Sequence, residues 1–301
     1  MNYPRISIVT PSFNQGQYIE ETILSIVNQN YPNLEFIIID GGSTDNTVSI
    51  IKKYEKFITY WVSEKDLGQA NAINKGLKYA TGEIFNWINS DDILNEGALF
   101  KIALAYDINS DLIAGKVLNF CNSRTLSVVT NSNLNFSDFV SGKSNWHQPG
   151  IWINLKKHPN IIIKEKFNFC FDFYLISKLL LSPQLSIVDI DYVLVKFRIH
   201  DNSKTGSGNI SYFNDMLEIL NDFIADKTLE VYQHQIRNYI QIIRKNLNCN
   251  YAVRSILLSQ HSRMKKIFIM IFHYLKNIKY CSNRFFFGAL KNIFINKYNL
   301  Q

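Results

Sequence analysis

Residues 82–92 read GEIFNWINSDD, an apolar run that ends in an amide, a hydroxyl and two adjacent carboxylates. Two like charges side by side repel, so the pair needs something positive beside it. Asp91 and Asp92 either cap a helix over ILNEGALF or hold a divalent cation against phosphate oxygens. Other stretches carry polar groups in the same kind of place: TPSFN with Thr10, Pro11, Ser12 and Phe13, DGGSTD beginning at Asp40, and SEKDLGQ with Asp66 and Gln69. Asp40 suits the imino N–H of a nucleobase, and Thr10 to Phe13 can frame the same base with backbone groups and an aromatic edge. GGSTDNT lacks the GxGxxG spacing and follows the second apolar run rather than the first, and there is no Walker A loop, so a nucleotide would be held by other means.

The elements that must position these residues alternate between two periodicities. RISIVT, LEFIIID, ITYWVSE, EIFNWIN and SDLIAGKVLNF read as strands. YIEETILSIVNQ, DNTVSIIKKYEKF, ANAINKGLKYATG and EGALFKIALAYD read as the helices between them, the second capped by Ser43 or Thr44. Such alternation predicts a mainly parallel sheet with helices on both faces, and in that architecture ligands bind beyond the carboxyl ends of the strands. All the chemistry-bearing stretches lie there. NSRTLSVVTNSNLNFSDFVSGKSNW reads as a short hairpin and a polar loop, FDFYLISKLLLS as a helix, and LSIVDIDYVLVKFRIH as one or two strands. From about residue 210 the pattern is helical, with Ile236, Tyr239 or Ile240, Ile243 and Leu247 on one stripe.

The chain has 301 residues, 47% hydrophobic and 19% charged, a globular composition. Its four cysteines form no CxxC pair, which offers neither a zinc site nor a disulfide framework and points to a reducing compartment. The N-terminus enters a strand pattern with no basic and apolar leader, which argues against a cleaved secretion signal. The net charge of +7 is divided unevenly: residues 1–225 carry 19 Lys/Arg against 23 Asp/Glu, and residues 226–301 carry 13 against 2.

SIVTPSFNQGQYIEETILSIVNQNYPNLEFIIIDGGSTDNT followed by GEIFNWINSDD resembles the family 2 glycosyltransferases. The likeness is specific over roughly residues 5–120 and weaker to about 205. It implies the GT-A (nucleotide-diphospho-sugar transferase) fold over residues 1–210; residues 211–301, outside the likeness, read from their own pattern as a basic amphipathic helical extension. It implies a metal-dependent, inverting transfer of a single sugar from a nucleoside diphosphate donor, UDP being the family's commoner carrier, to a glycan or lipid-linked acceptor in cell-surface polysaccharide synthesis. Asp40 then meets the base. The family's DxD motif falls on Asn89, Ser90 and Asp91, an Asn replacing its first Asp, so Mn²⁺ or Mg²⁺ is assigned to Asp91 with Asp92 in support. EKDLGQANAINKG resembles the family's ExDxGQxDAxNKG run, with Asn71 where an Asp is common, and implies donor contacts from Asp66, Gln69, Asn74 and Lys75. The general base corresponds to Asp172, with Trp146, His147 and Gln148 bordering the acceptor. VKFRIHDNSKT implies a metal or diphosphate contact from His200, phosphate contacts from Arg198 and Lys204, and a closing loop over Asp201 to Asn209. The absence of QxxRW argues against a processive polymerase. The competing classes are a catalytically silent nucleotide-binding scaffold, motivated by Asn89 and Asn71, and a nucleotidyltransferase.

The basic segment interleaves Lys and Arg with Phe, Ile and Tyr, and its longest charge-free apolar run, IFIMIFHYL, is nine residues. A spanning helix needs about 20. The pattern predicts helices lying in an anionic membrane surface, hence a peripheral protein on the cytoplasmic face of the cell membrane. Nucleic-acid binding is disfavoured by the large apolar content and the lack of a reader module. Packing on a second subunit in a homo-oligomer is the remaining reading.

Overall fold

β-Branched runs become strands and the amphipathic stretches between them become helices, in a computed structural model that describes residues 3–122, 124–200, 210–277, 286–287, 289–290 and 293. The chain divides into two units, Met1–His200 and Asp201–Gln301.

In the first unit the strands are β1 (Ile6–Ser12), β2 (Leu34–Asp40), β3 (Tyr60–Ser63), β4 (Ile84–Trp87), β5 (Ile93–Leu94), β6 (Leu112–Cys121), β7 (Arg124–Thr130), β8 (Ile151–Asn154) and β9 (Ile187–Arg198). Its helices are α1 (Ile19–Val27), α2 (Thr47–Lys53), α3 (Gln69–Leu77), α4 (Ala98–Ala105), α5 (Phe136–Val140) and α6 (Phe171–Leu179). Among the described residues the strands form one sheet in the order β3-β2-β1-β4-β8-β6-β9-β5, with β7 hydrogen-bonded to β6. The first four are parallel, as expected, while β8 runs antiparallel to both β4 and β6, and β9 runs parallel to β6. The parallel register aligns Ser12 with Asp40 and Asp40 with Ser63, so the polar stretches leave the sheet at one edge.

Alternation across the strands sorts the core into two layers. Ile6 and Ile8, with Phe36 and Ile38, pack in one cluster with Ile19, Ile23 and Ile26 of α1, Ile51 of α2 and Leu99 and Ile102 of α4. On the opposite face α3 lies so near the sheet that a Cβ at Gly76 would stand 2.5 Å from Val9 Cγ1. The short β5 and β8 and helix α5 were not anticipated, because two to five residues carry too little periodicity to register. The expected cap of α2 is also corrected. Asn46 holds the cap position without a side-chain bond, Asp45 accepts the Thr47 N–H at 3.0 Å, and Ser43 and Thr44 serve Asp40 and Asn14 instead.

The second unit contains α7 (Ile210–Ala225), α8 (Gln233–Leu258) and α9 (Arg263–Lys276). Ile236, Ile240 and Ile243 are buried on one stripe of α8, as their spacing predicts. Cys121 and Cys170 are thiols, whereas Cys249 is disulfide-bonded, contrary to the reading from spacing. No helix among the described residues is long and apolar enough to cross a membrane.

At the edge of the sheet remote from those polar stretches, Glu35 is 2% exposed and accepts hydrogen bonds from Ser7 Oγ at 2.5 Å, Thr81 N–H at 2.6 Å and Thr81 Oγ1 at 2.9 Å, with Arg5 paired at 3.0 Å. Glu35→Ala strands the buried Ser7 hydroxyl donor and removes the acceptor shared by Thr81 and Arg5, and should cost about 2–3 kcal/mol. A urea titration should show a lowered midpoint with an unchanged slope.

Candidate functional site

The crevice beyond the strand ends is floored by β1 and β2. Thr10, Pro11 and Ser12 are buried in β1, and the buried Thr10 and Ser12 hydroxyls have no hydrogen-bond partner. Phe13, the next residue, is 58% exposed, a ring free to cover a base. The loop behind it is zipped to the loop after β2. Asn14 N–H donates to Ser43 Oγ at 2.7 Å, Gln15 N–H to Thr47 Oγ1 at 2.8 Å, and Gly16 N–H to Asp45 Oδ2 at 2.9 Å. Glycine is required there, since a Cβ at residue 16 would stand 1.7 Å from Asn46 Oδ1.

Asp40 departs from its expected role. Its carboxylate is fully buried and accepts from Gly42 N–H, Ser43 N–H, Ser43 Oγ and Ser63 Oγ at 2.5 to 3.1 Å. It shapes the turn and presents no surface to a base. Asp66, which lies over Gly41 and accepts the Gly68 N–H at 2.8 Å, is the more open carboxylate of that region.

The NSDD turn after β4 separates its two carboxylates. Asp92 is fully buried, its Oδ1 accepting the Arg198 N–H at 3.0 Å and its Oδ2 the Asn89 amide at 3.2 Å. Burial first, and the neighbouring Asp91 charge second, push its carboxyl well above the usual carboxylate range. Asp91 faces outward, with its Oδ2 3.0 Å from His200 Nε2. Ser90 is buried, and Asn89 Oδ1 accepts from Gln69 Nε2 at 2.7 Å, tying the turn to the start of α3. Arg198 binds the Asp91 carbonyl through Nε at 2.9 Å, pairs with Glu21, and stacks between Tyr18 and Phe120 with its guanidinium carbon 4.9 and 4.6 Å from the ring centres. The Tyr18 ring also lies 4.9 Å from the His200 ring.

Two ligands about 2.1 Å from an octahedral ion, at right angles, lie about 3 Å apart. The Asp91–His200 separation fits that demand, and a carboxylate with an imidazole suits Mn²⁺ or Mg²⁺, the nitrogen favouring Mn²⁺. Asp92 is excluded from the shell by its burial and its two donors. Among the described residues no group of three or more His, Cys, Asp or Glu side chains is placed to hold an ion.

Asp172 sits in the first turn of α6, half-buried, its Oδ1 accepting the Phe173 N–H at 2.7 Å. Phe171 packs on Trp87 of β4 with ring centres 6.0 Å apart, and Asn168 comes within 3.8 Å of a Cβ built at Gly68, so the start of α6 adjoins the ends of β4 and of the loop before α3. Trp146 packs on Phe139 and Phe173 at 4.6 and 6.4 Å. His147 meets Phe197 edge-on at 5.0 Å, and burial lowers its pKa, favouring the neutral ring. Gln148 does not reach an acceptor: it is buried, donating to Asn86 Oδ1 at 2.6 Å and to the Trp87 carbonyl at 3.2 Å. Asn74 is likewise spent on holding Ile163 and Glu165, and Lys75 is paired with Glu64 at 2.6 Å. Lys204 and the loop from 201 to 209 lie outside the described residues. Tyr18 and Glu21 were not foreseen as site residues, because no local pattern links a helix start to an arginine at the far end of the sheet.

The sequence profile described as "Glycosyl transferase family 2" matches residues 7–176. The chain belongs to this family. Four curated glycosyltransferases are 37% to 41% identical over 101 to 118 residues, and those stretches span only 36% to 42% of their lengths. The UDP-Glc:alpha-D-GlcNAc-diphosphoundecaprenol beta-1,3-glucosyltransferase WfgD of Escherichia coli is 25% identical over 252 residues, covering 79% of this chain and 92% of that protein. Among solved structures, S. aureus TarS 1–349 in complex with UDP-GlcNAc superposes with a TM-score of 0.64 at 18% identity, covering 98% of this chain and 93% of the other. The mannosyltransferase PcManGT of Pyrobaculum calidifontis, in complex with GDP-Man and Mn²⁺, gives 0.61 at 16% identity, covering 99% and 89%. The architecture is therefore the GT-A fold of family 2 glycosyltransferases.

The two adjacent carboxylates should fail differently. Asp92→Ala leaves the Arg198 N–H unanswered in the interior, a loss of about 2 kcal/mol, or about 4–8 °C in Tm for a unit of this size. Asp91→Ala, at a partly exposed position, should shift Tm by no more than about 2 °C. Calorimetry of both variants checks the contrast.

Proposed function

We propose that this protein transfers a single sugar from a nucleoside diphosphate sugar, with inversion at the anomeric carbon, to a glycan or lipid-linked saccharide during cell-surface polysaccharide synthesis. The observation that carries the reading is the meeting of Asp91 and His200, 109 residues apart in the chain, at a spacing that suits a metal–diphosphate. A divalent ion bound there would neutralise the charge that grows on the departing diphosphate. Phe13 would cover the base at the end of β1. A uridine nucleotide is favoured because TarS, a structural neighbour, binds UDP-GlcNAc.

Asp172 is assigned as the general base. As the acceptor oxygen attacks the anomeric carbon from the face opposite the diphosphate, its proton passes to the Asp172 carboxylate. The carbon–oxygen bond to the diphosphate breaks, and the nucleoside diphosphate leaves. Trp146 offers the acceptor an aromatic face beside α6. Arg198 keeps the Asp91 backbone in place rather than meeting phosphate directly, since its side chain is committed to the Asp91 carbonyl and Glu21. A lipid-linked acceptor on the cytoplasmic side of the membrane is supported by the diphosphoundecaprenol in the name of WfgD.

Mn²⁺ alone should leave the thermal unfolding of the protein unchanged, whereas Mn²⁺ with UDP should raise its Tm, and Asp91→Ala or His200→Ala should abolish that rise. A shift with Mn²⁺ alone, or one that survives in Asp91→Ala, would sink this assignment of the site.

Asp172→Asn should retain the nucleotide-dependent shift while losing about 10²–10⁴ in transfer rate, followed as nucleoside diphosphate release. Near-normal transfer in that variant would remove Asp172 from the role. Failure to turn over any nucleotide sugar would favour a silent binding protein, and release of pyrophosphate a nucleotidyltransferase.

A further inference from the structure

Helix α9 is apolar on two sides, and only one of them is used inside its own unit. Ile267, Met270 and Tyr274 pack in a cluster with Val253, Ile256 and Phe286, with Met270 fully buried and the Tyr274 ring stacked on Phe286 at 4.2 Å. The other side carries Met264, Phe268, Ile271, Phe272 and Leu275, which recur at helical spacing and are 43% to 75% exposed. Among the described residues this stripe is surplus to the packing of the unit. Lys265 and Lys276 are exposed and three turns apart along the same border of the stripe, next to Phe272.

We propose that this outer face of α9 is a docking surface for an anionic lipid bilayer, with the helix lying in the plane of the interface. A helix of 14 residues is about 21 Å long, too short to span the hydrocarbon but suited to lying across its surface. Residues 226–301 carry 13 Lys/Arg against 2 Asp/Glu, a charge that anionic headgroups complement. The same charge opposes a second copy of this chain, because pairing the stripe with itself would bring two strongly basic segments together without acidic residues to answer them. Large apolar side chains between the lysines seat in acyl chains rather than on phosphate alone. The proposal is independent of which sugar is transferred.

The test is flotation of the full chain, without nucleotide, with vesicles of phosphatidylcholine alone or mixed with phosphatidylglycerol. The wild type should float with the anionic vesicles, less so as salt rises. Phe268→Ser with Phe272→Ser, and separately Lys265→Glu with Lys276→Glu, should each weaken binding by about tenfold or more. Both pairs are exposed, so helical circular dichroism and the nucleotide-dependent thermal shift should be retained, which separates this result from any failure of the transfer reading. Phe268→Trp provides a readout that needs no loss of binding: brominated lipid should quench it beyond the wild-type background. No flotation of the wild type, unchanged flotation of both double variants, or an unquenched Phe268→Trp would overturn the proposal. So would a dimer that the serine variants dissociate while vesicle binding is unchanged, since the stripe would then belong to a second copy.

Discussion

Asp92 is a carboxylate with no access to water, and the fold must answer it from within. Leaving such a group without donors costs several times what a normal hydrogen bond contributes, so its acceptors fix what surrounds them. One donor is the backbone of Arg198, 106 residues further along the chain, at the end of β9. That bond ties the turn after β4 to a strand on the far side of the sheet. Once it is made, His200 follows two residues later and arrives beside Asp91. The pair that could hold an ion is thus positioned by a residue that does not touch it.

The same arrangement explains why two aspartates can stand next to each other. Their repulsion would be costly if both were charged in one environment, and the chain separates them by burial. Asp92 is enclosed and its carboxyl is pushed toward the neutral form, while Asp91 stays near solvent, opposite an imidazole. Arg198 strengthens the division. Its guanidinium, held between Tyr18 and Phe120, anchors the Asp91 carbonyl and engages Glu21, so the outward carboxylate projects from a backbone that cannot swing. Asp91 and His200 meet with no third His, Cys, Asp or Glu grouped beside them among the described residues, so an ion held there would need a polyanion to complete its shell.

How much of this could be read from the residues depended on range. The strand ends were legible because β1, β2 and β4 are buried on both faces and produce unbroken apolar runs, and the polar residues that follow them fall at one edge by the rule of parallel sheets. The family likeness supplied His200 and Asp172, which no local pattern would have paired with the NSDD turn. Burial was not legible: Asp40, Asp92 and Gln148 are each enclosed and hydrogen-bonded within the fold. Exposure is a property of the packed chain, and a sequence does not carry it. The disulfide at Cys249 likewise lay outside what spacing can show.

The two edges of the sheet show what this commitment is for. At the edge where β1, β2 and β6 begin, buried charges are saturated: Glu35 by Ser7, Thr81 and Arg5, and Asp111 by Lys157, His158, Ser182 and the Ser186 N–H. At the other edge, Thr10 and Ser12 keep buried hydroxyls without partners and Phe13 keeps an exposed ring. A fold at its stability optimum would have satisfied both edges. Leaving buried hydroxyls unpartnered costs stability, and it is at this edge, where the polar stretches gather, that an aromatic ring is also left open to solvent.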